Sequence, residues 1–381
     1  MNCQKHLFNL DPEVTYLNCA YMSPLMKSVE EAGMKGILKK QKPNQIAPSD
    51  FFDESDELRK EYAKLVNAAD PNRVVVIPSV SYGMANVAHN LELSEGDEIL
   101  VVGEQFPSNV YPWRTITQKS GASIVTIKGP NVTESRGELW NEQILSAISS
   151  RTKLVACGHI HWADGTLFDL KAIRAKTLEV GAWLAVDGTQ SVGAVPFDIQ
   201  EIQPDALVVA GYKSLMGPYS IGMAYYGPAL DFGTPVEENW INRFESENFS
   251  NLVNYNDHYQ PGALRYEVGE HSNFILVPML LEAIKTLNSW GVENVKRYCD
   301  DLVFDSVQKL RQAGFIIEDQ SYRASNLFGI RLGEHQNMDE IKARLQAENI
   351  FFSYRGNAIR ISPNVYNDKE DLSTLTKALI S

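Results

Sequence analysis

Two short apolar runs in the middle of the chain end in side chains capable of covalent and acid–base chemistry. Leu184-Ala185-Val186 gives out into Asp187-Gly188-Thr189-Gln190, and Leu207-Val208-Val209-Ala210 gives out into Gly211-Tyr212-Lys213. The carboxylate and the amine lie 26 positions apart. Each run is too short for a helix and breaks into small polar residues, as a buried parallel strand does when it hands its last residues to a site. An amine where such a strand ends, just ahead of Gly217-Pro218, is poorly solvated. Desolvation lowers its pKa and makes it a nucleophile toward an aldehyde. Asp187 is costly to bury unless it meets a cation, and a protonated pyridine nitrogen is one.

An aldehyde on a pyridine ring is pyridoxal phosphate, and the two motifs resemble the cofactor signature of the class V aminotransferase family of pyridoxal-phosphate enzymes. That family also holds cysteine desulfurases, selenocysteine lyases, kynureninases and isopenicillin N epimerases. Further matches run from Tyr16-Leu17-Asn18-Cys19-Ala20 to the stretch between Arg360 and Asn367, so the resemblance spans nearly the whole chain. It implies a fold type I enzyme acting on an amino acid, as a homodimer with its sites near the subunit interface. Lys213 would form the Schiff base and then move protons at Cα, and Asp187 would keep the ring nitrogen protonated. Gln190 matches the family glutamine that bonds the cofactor's phenolate oxygen. Tyr212 resembles the kynureninase tyrosine that reaches the phosphate, where desulfurases usually carry histidine.

Other candidates follow strand ends. The run 74–77 closes in Pro78-Ser79-Val80-Ser81-Tyr82-Gly83, either a capped helix start or an anion site built from free amides and a hydroxyl. In the family this position is the phosphate loop, which points to the Val80 amide and to Ser81. Phe106, after the run 99–102, is placed to stack on the pyridine face. Arg360 sits between apolar neighbours, where its planar fork suits an α-carboxylate or a structural ion pair. The resemblance favours the carboxylate, and Arg355 reads as a structural or surface charge. His159, His161 and Asp164 lack a third ligand group near in sequence, so no metal is expected. Two departures from the family stand out. Trp162 replaces its usual asparagine, with Asp164 as one conceivable substitute, and Glu270 occupies the place of a threonine that reaches the neighbouring subunit's phosphate. His271 or Ser272 would have to serve instead.

These residues need a scaffold. Strands are expected at 74–77, 99–102, 123–127, 154–157, 183–186, 206–209 and 222–226, alternating with helices such as 84–90, 109–120, 141–149 and 170–180. That alternation predicts an α/β protein with a doubly wound, mainly parallel sheet, whose ligands lie beyond the carboxyl ends of its strands. Before it, an arm over 1–22 precedes helices at 24–40 and 51–68. After it, 228–265 is irregular and rich in aromatics, as functional or interfacial segments are. Strands at 315–317, 327–331, 351–354 and 358–361 with helices at 338–348 and 369–380 predict a smaller α/β domain. The expected division is therefore an arm at 1–22, a large cofactor domain at 23–265 and a small C-terminal domain at 266–381.

Composition bounds the partners. With 381 residues, two domains are the prior. A formal net charge of −13 argues against nucleic acid and against an anionic membrane surface. Four unpaired-looking cysteines and the lack of any long apolar run predict a reduced, cytoplasmic protein. Ser79–Gly83 is too poor in glycine for a nucleotide loop. No cysteine occurs between Gln346 and Ile359, where desulfurases place a persulfide carrier. Transamination is therefore the leading expectation, followed by a lyase or an epimerase, with a cofactor-binding protein lacking turnover as the remote alternative.

Overall fold

The computed structural model describes residues 1–333, 336–356 and 358–381. Its main sheet has seven strands: β2 (Val74–Ile77), β3 (Glu98–Val102), β4 (Ser123–Ile127), β5 (Thr152–Gly158), β6 (Trp183–Asp187), β7 (Ala206–Ala210) and β8 (Gly222–Tyr226). They follow β1 (Thr15–Tyr16) of the N-terminal arm. The spatial order is β2-β8-β7-β6-β5-β3-β4. Only β8 runs against the others, pairing antiparallel with both β2 and β7. The carboxyl ends of β2, β3, β5, β6 and β7 therefore share one edge of the sheet with the start of β8.

Alternate residues explain why these strands read as continuous apolar runs. Val74 and Val76 enter a core on one face, Val75 and Ile77 a core on the other. The helix Leu276–Trp290 covers the first face, and the helix Val80–Asn90 covers the second. Gly83 lets the latter come close, since a Cβ there would stand 2.6 Å from Val208 Cγ1. The N-terminus of that helix is thereby drawn down onto β7, two strands from its own β2.

A second sheet, β9 (Phe328–Arg331), β11 (Ser353–Arg355) and β12 (Ala358–Ile361), is antiparallel in the order β11-β12-β9. Its core joins Phe328, Ile330, Ile359 and Ile361 to the helices Val292–Gln312 and Lys369–Ile380, and takes in Leu17 from the arm. The arm is built in: β1 pairs parallel with β10 (Ile350–Phe351), and Ala20 donates to Ser362 Oγ.

Several local expectations change. The helix expected from Met84 starts at Val80, because Ser79 caps it with an Oγ accepting from the Tyr82 amide. The helix expected at 24–40 starts at Lys27, since the Ser23 amide donates to Tyr212 O and the segment before it is held extended. The strand expected at 351–354 is two pieces, β10 and β11, paired with different partners. The one expected at 315–317 reduces to a single bridge between Ile316 and Arg331.

Candidate active site

The shared strand edge opens on a cavity of about 290 Å³. Seven of the residues singled out in the sequence line it: Val80, Ser81, Phe106, Asp187, Gln190, Tyr212 and Lys213. Four separate segments supply them. At the end of β2 the first amides of the capped helix, those of Val80 and Ser81, have no intrahelical partner. Ser79 Oγ and Ser81 Oγ stand 2.8 Å apart beside them.

On the cavity wall, Asp187 is half-buried and accepts the Thr189 amide at 3.0 Å, with no cation within ion-pair distance among the described residues. Burial pushes its carboxyl up from the ordinary range, and the Thr189 bonds and the Lys213 charge only partly counter that. Thr189 also accepts from the Ala210 amide at 3.1 Å, which ties the end of β6 to the end of β7. Its place beside Asp187 in the Asp-Gly-Thr-Gln motif was the signal for this role, but the bond to Ala210 needs the strand pairing.

After β7 the chain turns sharply, with the Gly211 amide on Ile221 O and the Gly217 amide on Gly211 O. A Cβ at Gly211 would lie 2.6 Å from Ile221 O, so no larger residue fits before Tyr212 and Lys213. The Lys213 side chain is 7% exposed and makes no hydrogen bond or ion pair among the described residues. Its Nζ lies 5.3 Å from the Phe106 ring centroid and 5.5 Å from that of Tyr212. Burial brings its pKa down to about 8. Asp187 opposes that shift, and the guanidiniums of Arg360 and Arg355 add to it.

Gln190 Nε2 donates to Ala20 O at 3.2 Å, so the built-in arm closes one wall. Phe106 meets the Trp162 ring edge-on at 5.4 Å, and Trp162 Nε1 donates to Glu104 O at 2.6 Å. Tyr212 stacks at 4.6 Å on Tyr219, an exposed ring at the mouth that no sequence pattern distinguished.

Arg360 does not line the cavity itself; it lies behind Trp162, which does. Its side chain is 1% exposed, donates to Trp162 O at 3.0 Å and Ser353 Oγ at 3.3 Å, and keeps a buried Nε without a partner. No carboxylate pairs with it among the described residues, and burial lowers its pKa to about 9.

The remaining candidates are drawn elsewhere. Asp164 accepts from His161 Nδ1 at 3.0 Å, Arg136 at 2.7 Å and Arg331 at 2.6 Å, and the His161 hydrogen bond with the two guanidiniums holds its carboxyl far below the usual range. That carboxylate is a structural hub and does not stand in for the missing asparagine. His159 is buried against Phe197, its pKa brought down to about 4 by burial alone. His271 turns inward to Ser55 Oγ and Glu267, while Glu270 is exposed at a left-handed φ of 56°.

The donor set fits pyridoxal phosphate. A buried amine without an acid partner and a half-buried carboxylate without a cation, among the described residues, suit a ligand with an aldehyde and a protonated nitrogen. The free amides at Val80 and Ser81 await an anion.

Together the sheet edge and this donor set define a pyridoxal-phosphate-dependent enzyme of fold type I acting on amino acids. The chain belongs to the aminotransferase class V family, whose model matches residues 47–375. It is 28% identical over 323 residues to an uncharacterized aminotransferase of Bacillus subtilis, YcbU, covering 84% of this chain and 82% of that one. A probable cysteine desulfurase of Mycolicibacterium paratuberculosis is 26% identical over 302 residues, 78% of this chain and 42% of that one. Among solved structures, a C-DES variant with glycine covalently linked to its pyridoxal phosphate superposes with a TM-score of 0.87 at 19% identity, covering 99% of each chain. The apo cysteine desulfurase of Thermococcus onnurineus does so with a TM-score of 0.84 at 21%, covering 100% of this chain and 98% of that one. Among the described residues no helix is long and apolar enough to cross a membrane.

Proposed function

We propose that the protein is an aminotransferase that exchanges the amino group of an α-amino acid with a keto acid, with Lys213 as its catalytic residue. Bound there, pyridoxal phosphate supplies an electron sink that makes the substrate's α-hydrogen acidic. Asp187 would hold the proton on the ring nitrogen, favoured because its carboxylate has no cation partner among the described residues. Gln190 would donate to the phenolate oxygen. The amides of Val80 and Ser81 and the Ser81 hydroxyl, with Tyr212, would hold the phosphate, and Phe106 would cover the ring. Lys213, a buried amine with a pKa near 8, would take the proton from Cα and deliver it to the carbon that carried the cofactor's aldehyde, since an amine so depressed exchanges protons readily at neutral pH.

The observation that carries this reading is Arg360, a buried guanidinium with, among the described residues, an unpaired Nε and no carboxylate partner, beside the lysine it electrostatically depresses. A substrate α-carboxylate would complete it and bring Cα toward Lys213. Desulfuration through a persulfide carrier is disfavoured: Cys19, Cys157 and Cys299 are buried, and Cys3 lies on the arm. We place the enzyme in the cytoplasm as a homodimer. The exposed aromatics Trp240, Phe244 and Tyr255 of the irregular segment offer a surface for the second copy, and light scattering reads its mass.

The decisive experiment follows isotopically labelled nitrogen from a panel of L-amino acids to keto-acid acceptors. Labelled product amino acid, lost in Lys213→Ala, is expected. Ammonia and keto acid formed without an acceptor would instead mean a lyase, and inversion at Cα an epimerase.

A further inference from the structure

The hairpin that carries Arg360 carries a second guanidinium on the same face. In the β11–β12 pair, Ser353 stands opposite Arg360 and Arg355 opposite Ala358. Opposed residues of an antiparallel pair point to one side, so Arg355 and Arg360 are diagonal neighbours, about 7–8 Å apart at the backbone. The other side of the hairpin, with Ile359 and Ile361, enters the small core. Both guanidiniums lie against the indole of Trp162, with Arg355 Cζ 5.3 Å and Arg360 Cζ 6.0 Å from its centroid.

Two like charges so placed repel, and nothing among the described residues neutralises them. Neither forms an ion pair with a carboxylate among the described residues. Arg355 donates to Tyr354 O at 2.6 Å and, like Arg360, keeps a buried Nε without a partner. One monocarboxylate would satisfy Arg360 and leave Arg355 unmatched. Their exposures differ in a useful way: Arg360 is sealed beside Lys213, whereas Arg355 is half-buried, farther toward solvent. Trp162 spans the two, an apolar wall for the carbons between two charged ends.

We propose that Arg355 binds the side-chain carboxylate of a dicarboxylic substrate, an amino acid of the aspartate or glutamate kind or its keto acid, while Arg360 takes the α-carboxylate. This rests on the reading of Arg360 given above and names the substrate class of that site. Arg355 is thus a specificity-determining residue, and its planar fork matters as well as its charge.

The test compares kcat/KM for L-glutamate and L-aspartate with that for L-alanine in the holoenzyme, in wild type, Arg355→Gln and Arg355→Lys. Loss of a charge-assisted contact predicts that Arg355→Gln lowers the ratio of dicarboxylic to alanine efficiency about 10- to 100-fold, mainly through KM. Arg355→Lys, which keeps charge but not the fork, should fall between. Calorimetry supplies a readout independent of turnover: glutarate should bind the wild-type holoenzyme more tightly than valerate, and the difference should vanish in Arg355→Gln. A ratio unchanged in Arg355→Gln, or equal binding of glutarate and valerate by wild type, overturns the proposal. If no amino acid is turned over yet glutarate binds in an Arg355-dependent way, aminotransfer is refuted while the dicarboxylate site stands.

Discussion

The reactivity of Lys213 is the most exacting consequence of the site's geometry. Its amine is buried at the end of β7, without a hydrogen bond, and its pKa falls from the ordinary 10.5 to about 8. At pH 7 the neutral fraction is then about one tenth, against about three in ten thousand for an ordinary lysine, a gain of about 300-fold. The shift corresponds to about 3 kcal/mol of disfavoured charge in the folded chain. Competitive acetylation of the cofactor-free protein, read peptide by peptide in a mass spectrometer across pH 6 to 11, measures the pKa directly. Lys213 should titrate near 8, well below the ordinary lysine value of about 10.4. Asp187→Asn removes the largest of the nearby influences that raise the value, so the midpoint should fall further. The sign of the linked stability follows: between about 8 and 10.5 the unfolded chain holds the extra proton, so the cofactor-free fold gains stability as pH rises through that window. The Tm advantage of Lys213→Met over wild type should shrink across the same range. A Lys213 midpoint near 10.5 would refute the desolvation argument and with it the account of why this strand end is nucleophilic.

Arg360→Ala should raise the KM for the amino acid about 30- to 100-fold with little change in cofactor retention, as loss of a bidentate charged contact predicts; steady-state kinetics and a cofactor-release assay read the two separately. Asp187→Ala should leave Lys213 modifiable by the cofactor but cut kcat by about 100-fold or more, since the charge that stabilises the protonated ring is gone. Asp164→Ala leaves Arg136 and Arg331 facing each other unpaired and should cost about 3–5 kcal/mol of stability by denaturant titration, without a selective effect on KM. Ser79→Ala removes a helix cap, worth about 1 kcal/mol, and should weaken phosphate-dependent cofactor binding if that helix start is the phosphate site.

What could be read in the sequence was whatever a strand carries at its own end. Asp187 and Lys213 announce themselves because burial of the run before them and polarity after them are both local properties. The parallel pairing then brings them to one edge without further instruction. Residues whose role depends on register across sequence were opaque. Arg355 looked like a surface charge until the β11–β12 pairing put it on the face of Arg360, because a shift of one residue would have turned it into the small core. Asp164 looked like a possible ligand contact until three basic partners, one of them 167 positions away, were seen to claim its carboxylate. His271, offered as a phosphate contact, is claimed by Ser55 in the same way. In each case the side chain's chemistry was plain and its partner was not. A charged group's role is decided by which opposite charge the fold places beside it, and at this site the fold leaves three cations, Lys213, Arg355 and Arg360, with no carboxylate among the described residues to pair with. Their common deficit is what the ligands must supply: an aldehyde for the amine, and carboxylates for the two guanidiniums.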